Sequence, residues 1–161
     1  MSAIKSSEKF KQRINELIQE IHAPKKIIAN KMQIEFRSLC NAYKYGIIPR
    51  PTTLAKMADY FQVSVDYLLG RTDEIKFVPA KIPSDFYTRY TYLRDLSHLS
   101  DNKVATECKF DLTLCHKWKK TGHTPSLAHL DALCKYFEVS IDYLLGRTDD
   151  ESPYTIDTDW C

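Results

Sequence analysis

Residues 60–73 read YFQVSVDYLLGRTD and residues 136–149 read YFEVSIDYLLGRTD. Twelve of these fourteen positions match at an offset of 76 residues, and the two differences, Gln62 against Glu138 and Val65 against Ile141, are mild. A match this dense marks an internal repeat, and two copies in 161 residues make a duplicated domain rather than a solenoid. Each copy has a local reading. Ser64 and Ser140 stand where an N-cap belongs, and Asp66 and Asp142 fall in the first turn, where the helix dipole favours an anion. Gly70 and Gly146 suit the left-handed conformation that ends a helix. The stretch therefore reads as a short core-closing helix without chemistry of its own, and function is sought elsewhere in each copy.

A chain that is 27% charged and 43% hydrophobic is globular, and the repeat makes it two small domains, which gain from packing between copies or between chains. No apolar run reaches the length of a membrane span, and the polar start MSAIKSSEKF lacks a signal-peptide core, so a cytoplasmic protein is expected. Of the cysteines, Cys40, Cys108, Cys115 and Cys134 fall at or near apolar helix positions and read as reduced core thiols, while Cys161 ends the chain. Cys115 with His116 and His123 lacks the spacing of a four-ligand metal site. The net charge of +2 conceals an asymmetry: with Asp149, Asp150, Glu151, Asp157 and Asp159 set aside, residues 1–147 carry +7.

Read in order, the first copy shows apolar residues at helical spacing over 7–22 (Phe10, Ile14, Leu17, Ile18, Ile21), then a helix over 24–32 opened by Pro24. A turn at 33–35, a third helix from Phe36 to about Tyr45, a break at Gly46 and Pro49, and a fourth helix opened by Pro51 follow. The repeated stretch supplies the fifth. Residues 71–83 hold two prolines and no helical period, so they read as an extended linker. The second copy runs from a helix over 84–98 through one capped by Ser100, a turn at 109–111, and a third helix from Leu112 to Lys120 capped by Asp111. Five short helices with a three-residue turn between the second and third is a helix-turn-helix layout.

These positions resemble the Cro and lambda-repressor (Xre-type) helix-turn-helix family. In the first copy Pro49, Leu54, Met57, Ala58, Phe61, Val63, Ser64, Asp66 and the YLLG at 67–70 fall in the family's register, with Ala29 as the small residue of the second helix. In the second copy Leu99, Ser100, Ala105, Asp111, Trp118, Pro125, Ser126, Leu127, Leu130, Leu133, Phe137, Val139, Ser140 and the DYLLG at 142–146 do so. The first copy departs from the pattern at Pro24, at Gln33 in place of the turn glycine, and at Ala42 in place of a Trp or Ile. The expected architecture is all-α: a first helix-turn-helix domain over 1–70, a linker over 71–83, a second domain over 84–146 and an acidic tail over 147–161. Residues 7–70 and 84–146 should superpose.

The resemblance implies a sequence-specific DNA-binding transcriptional regulator, a repressor of the phage or mobile-element type, that puts its third helix into the major groove. Carried over by register, the base-reading candidates are Phe36, Arg37 and Asn41 in the first copy and Leu112, Thr113, His116 and Lys117 in the second. Backbone candidates are Lys25, Lys26, Lys31, Tyr43, Lys44 and Arg50, then Lys103, Lys109, Lys119, Lys120 and His123. Between 23 and 50 there are six basic residues against Glu35 alone; between 100 and 126 there are five against Asp101, Glu107 and Asp111. Asp101 sits where it should repel phosphate. The partner implied is double-stranded DNA, read by both copies of one chain or by a homodimer.

A competing reading is a protein-binding inhibitor or adaptor on the same fold, for example against a nuclease, using the acidic surfaces and those of Phe36, Tyr43, Tyr45 and Phe110 that are not core. No paired carboxylates, nucleophile and base, or glycine-rich phosphate loop is legible, so neither enzymatic activity nor a cofactor is expected. The tail reads as a free end, or as an arm that docks Tyr154, Ile156 or Trp160 in a groove or along residues 75–78.

Overall fold

A computed structural model describes residues 6–151. Among them it is all-helical, with ten α-helices and one isolated antiparallel bridge between Ser6 and Ile47. Residues 6–77 and 78–151 form separate compact units. None of the helices is long and apolar enough to cross a membrane. The expected tail docking and Cys161 lie outside the described residues.

Unit 1 holds α1 (Glu8–Gln19), α2 (Lys25–Met32), α3 (Phe36–Tyr45), α4 (Pro51–Phe61) and α5 (Val65–Leu68). Unit 2 holds α6 (Phe86–Leu96), α7 (Asp101–Cys108), α8 (Leu112–Thr121), α9 (Leu127–Phe137) and α10 (Ile141–Leu144). A shift of 76 residues carries the bounds of α2 to α5 onto those of α7 to α10. The first helices are shorter than their apolar patterns suggest. α1 stops at Gln19, and Ile21 instead closes a turn onto the Ile18 carbonyl. α6 starts after Asp85, whose carboxylate accepts the Thr88 N–H at 2.8 Å, and a left-handed His98 (φ 56°) turns the chain soon after Ser97.

Burial follows the predicted stripes. Phe10, Ile14, Ile28, Leu39, Leu54, Met57 and Leu68 are fully buried in unit 1 and Tyr90, Leu130, Leu133 and Ile141 in unit 2. Cys108, Cys115 and Cys134 are buried free thiols; burial pushes Cys108 up to about 11. α1 packs on α3 and α5, and α4 on α2 and α5; α9 packs on α7 and α10, and α10 on α6. One pairing is not reproduced. α1 and α3 approach closely over the buried Ala42, with Asn15 donating to the Tyr43 carbonyl at 2.9 Å. α6 and α8 lack so close a backbone approach, because the Trp118 ring stands between them. That ring is 3% exposed and lies edge-on to Phe86 and Tyr90 at 5.2 and 5.7 Å. Phe110 packs on it too, at 5.3 Å, so this half-buried ring is drawn towards the core rather than offered to a partner.

The RTD triplets, expected to open the linker and the tail, are built into the units. Arg13, 5% exposed, donates to Asp73 at 2.6 Å and to the Tyr67 and Thr72 carbonyls, with its guanidinium 4.0 Å from the centre of the Tyr67 ring. Arg89 repeats this with Asp149 at 3.2 Å and Tyr143 at 4.2 Å. Asp66 and Asp142, placed by sequence in a first helical turn, are also wholly buried and face Arg71 and Arg147. In unit 2 the Ala80 and Ser84 N–H groups donate to the Arg147 and Gly146 carbonyls at 2.8 and 3.1 Å. A Cβ on Gly146 would lie 2.2 Å from the Ser84 backbone, so only glycine fits at that crossing.

Candidate functional site

The candidate residues of unit 1 gather where the start of α2 meets α3. Pro24 fixes the entry to α2 but has no side chain to cap it, and Glu35 and Arg50 likewise leave α3 and α4 without a side-chain cap. The first N–H groups of α2 therefore keep their positive partial charge, and Lys25 and Lys26 stand beside them. Their side chains lean across to α3. The Lys25 ammonium lies 4.9 Å from the Tyr43 ring centre, Lys44 lies 5.9 Å from the same ring, and Lys26 lies 5.7 Å from the Phe36 ring. Ring faces attract ammonium groups, so aromatic side chains hold like charges together that would otherwise spread apart. The Tyr43 hydroxyl donates to the Cys40 sulfur at 3.7 Å, which holds the phenol above its ordinary range.

Arg37 is exposed on the first turn of α3, and Asn41 is half-buried one turn on. Phe36 is 38% exposed. Lys31 and Arg50 are exposed at the end of α2 and just before α4. The structure thus joins Lys25, Lys26, Phe36, Tyr43 and Lys44 through contacts, and leaves Arg37, Lys31 and Arg50 as exposed cations around them.

Unit 2 presents the same frame with another surface. Ser100 Oγ accepts the Lys103 N–H at 3.1 Å, Asp111 accepts the Thr113 N–H at 2.9 Å, and Ser126 Oγ accepts the His129 N–H at 3.4 Å. α7, α8 and α9 are all side-chain capped. The Thr113 hydroxyl also donates to Asp111 at 2.9 Å, so this candidate reader is already engaged. Those two bonds hold the Asp111 carboxyl below its ordinary range, leaving an exposed anion at the head of α8. Lys103 pairs with Glu107 at 2.9 Å.

Asp101 departs from expectation. It accepts from the Tyr90 hydroxyl at 2.7 Å and from Arg94 at 2.9 Å, and is half-buried. Partial burial pushes its carboxyl up, but the Tyr90 and Arg94 hydrogen bonds and the Arg94 charge outweigh that and hold it below its ordinary range. Its charge is neutralised from within rather than presented to repel phosphate. Thr113, His116, Lys117, Lys109, Lys119, Lys120 and His123 are exposed, and Leu112 is half-buried. Cys115, by contrast, is buried against the Tyr90 hydroxyl at 3.7 Å. No group of three metal-ligating side chains occurs among the described residues.

Sequence reasoning missed Arg13 with Asp73, Arg89 with Asp149, and Arg94 with Asp101. The first two carried a signal, since all four residues recur at the repeat offset. The third carried none, because Ile18 and Lys25 occupy those places in the first copy. No family model, curated protein or solved structure matches the chain.

Proposed function

We propose that the chain is a DNA-binding transcriptional regulator of the repressor kind, built from two tandem lambda-repressor-like helix-turn-helix domains, with unit 1 as its principal DNA-contacting unit. The observation that carries this reading is the gathering of Lys25, Lys26 and Lys44 on the Tyr43 and Phe36 rings beside the uncapped start of α2. Three cations and free N–H groups at one place suit the phosphate backbone. Arg37, exposed on the first turn of α3, supplies the planar donor that suits a guanine edge. The first turn of α3 is then the segment that enters the major groove.

A second reading has its own support in unit 2. There Lys103 is spent on Glu107, Thr113 on Asp111, and Asp111 stands as an exposed anion at the head of α8. Such a face suits a protein better than a phosphate backbone. One experiment separates the two. Duplex DNA binding by the full chain, measured over a range of salt, should weaken steeply as counterions compete for the phosphates. Binding that is absent, or indifferent to salt, would leave the protein-binding reading alone.

A further inference from the structure

Unit 2 carries exposed apolar side chains that unit 1 does not have at the equivalent places. Tyr92 and Leu96 on α6 are 51% and 60% exposed. The residues 76 positions earlier are Glu16 and Glu20, both exposed. Tyr92 and Leu96 lie four residues apart, so the exchange places an apolar pair side by side on one face of α6. Leu96 opens onto a groove of about 520 Å³. Leu93 and Val139, both buried, lie at its base, and Leu99 and Phe137 help to wall it. Its rim carries two exposed carboxylates, Glu138 and Glu151, where the first copy has Gln62 and Ile75. An exposed apolar pair on α6 and an acidic rim beside it have thus appeared together in one copy.

We propose that this groove binds a cationic amphipathic segment of a protein partner. Its apolar side chains pack on Tyr92 and Leu96, and its lysines or arginines meet Glu138 and Glu151. A helix that presents apolar anchors at i, i+3, i+4 and i+7 and cations elsewhere is a common form of such a segment. Nucleic acid does not suit it, because both rim carboxylates oppose phosphate. The proposal does not depend on how α3 is used.

The test takes the full chain and two labelled synthetic helices, one with leucines at i, i+3, i+4 and i+7 and lysines elsewhere, the other with glutamates in place of the lysines. Anisotropy should show the lysine helix bound and the glutamate helix not. Leu96→Gln and Glu138→Lys should each weaken binding by about tenfold, the usual size for loss of an anchor. Both sites are exposed, and Lys109 already shows lysine in the left-handed conformation that Glu138 adopts. Leu96→Gln should leave duplex DNA affinity unchanged. The proposal is overturned if the lysine helix fails to bind, if both helices bind alike, or if Leu96→Gln binds as wild type. It is equally overturned if Leu96→Gln dissolves a dimer in sedimentation, or if the helix binds only after residues 152–161 are removed.

Discussion

The two units share one backbone plan and differ in what they do with their helix ends. Unit 2 caps α7, α8 and α9 with Ser100, Asp111 and Ser126, ties Asp101 to Arg94 and Tyr90, and builds an aromatic cluster on Trp118. Unit 1 leaves the equivalent ends uncapped, gathers lysines beside them, and closes α1 onto α3 over Ala42. The caps of α7, α8 and α9 use N–H groups at exposed helix starts, and Asp111 and Lys103 are tied up there as well. The copy with more satisfied ends has less left to offer a polyanion, whereas the uncapped copy keeps its partial charges at the surface. Local stability and anion recognition thus compete for the same atoms.

That comparison can be broken at several points. The largest effect should come from Trp118→Ala, which empties the space between α6 and α8. It should destabilise unit 2 by about 3–5 kcal/mol, read by denaturant unfolding, while unit 1 is unaffected. An unchanged midpoint would mean that the aromatic cluster does not hold unit 2 together.

Next come the two third helices. Arg37→Ala should relax base preference by about 1–3 kcal/mol, measured as the affinity ratio between a selected duplex and a scrambled one. Lys44→Ala should weaken both duplexes alike and flatten the salt dependence. Lys117→Ala should do less than either, since Asp111 stands at the head of the same helix. A larger loss for Lys117→Ala than for Arg37→Ala would reverse the division of labour argued above.

The caps give a smaller effect. Ser100→Ala should cost unit 2 about 1 kcal/mol. Pro24→Ser should weaken DNA binding as it stabilises α2, by giving the first N–H groups an internal acceptor; improved binding would break the link between free ends and anion affinity.

The smallest effect concerns acid. Asp101 is held below its ordinary range in the folded state, so its contribution is present above the unfolded carboxyl value, about 3.9, and is lost as pH falls through the folded one. Asp101→Asn should therefore flatten the acid side of the unit 2 stability profile, followed by circular dichroism between about pH 5 and 2. A profile of unchanged steepness would assign the acid response to other carboxylates.

Much of the fold was legible because its signals are local. Pro51 and Gly46 punctuate as read, and the apolar period places α2 to α5 and α7 to α10. The ends of α1 and α6 were not, because Ile21 continues an apolar stripe past the point where the backbone turns. At the candidate site, sequence supplied the cations but not their arrangement: that Lys25 and Lys44 share the Tyr43 ring depends on how α2 crosses α3. Which of the aromatics belongs with the core was not legible: nothing near Phe110 in sequence reveals Trp118 as its neighbour. Arg13 and Asp73 are 60 residues apart, and only the repeat could have linked them.

The seam between Ser84 and Gly146 brings the entry and exit of unit 2 within one hydrogen bond of each other, at 3.1 Å. A module whose ends meet has a backbone that is nearly a closed ring. Its natural termini could be joined by a short bridge and the chain reopened elsewhere. The exposed bend at Gly122 is the place to cut, since nothing lies within 4 Å of where its side chain would be. Such a circular permutant of residues 78–151 should fold, and it would allow a reporter to be carried directly beside the third helix.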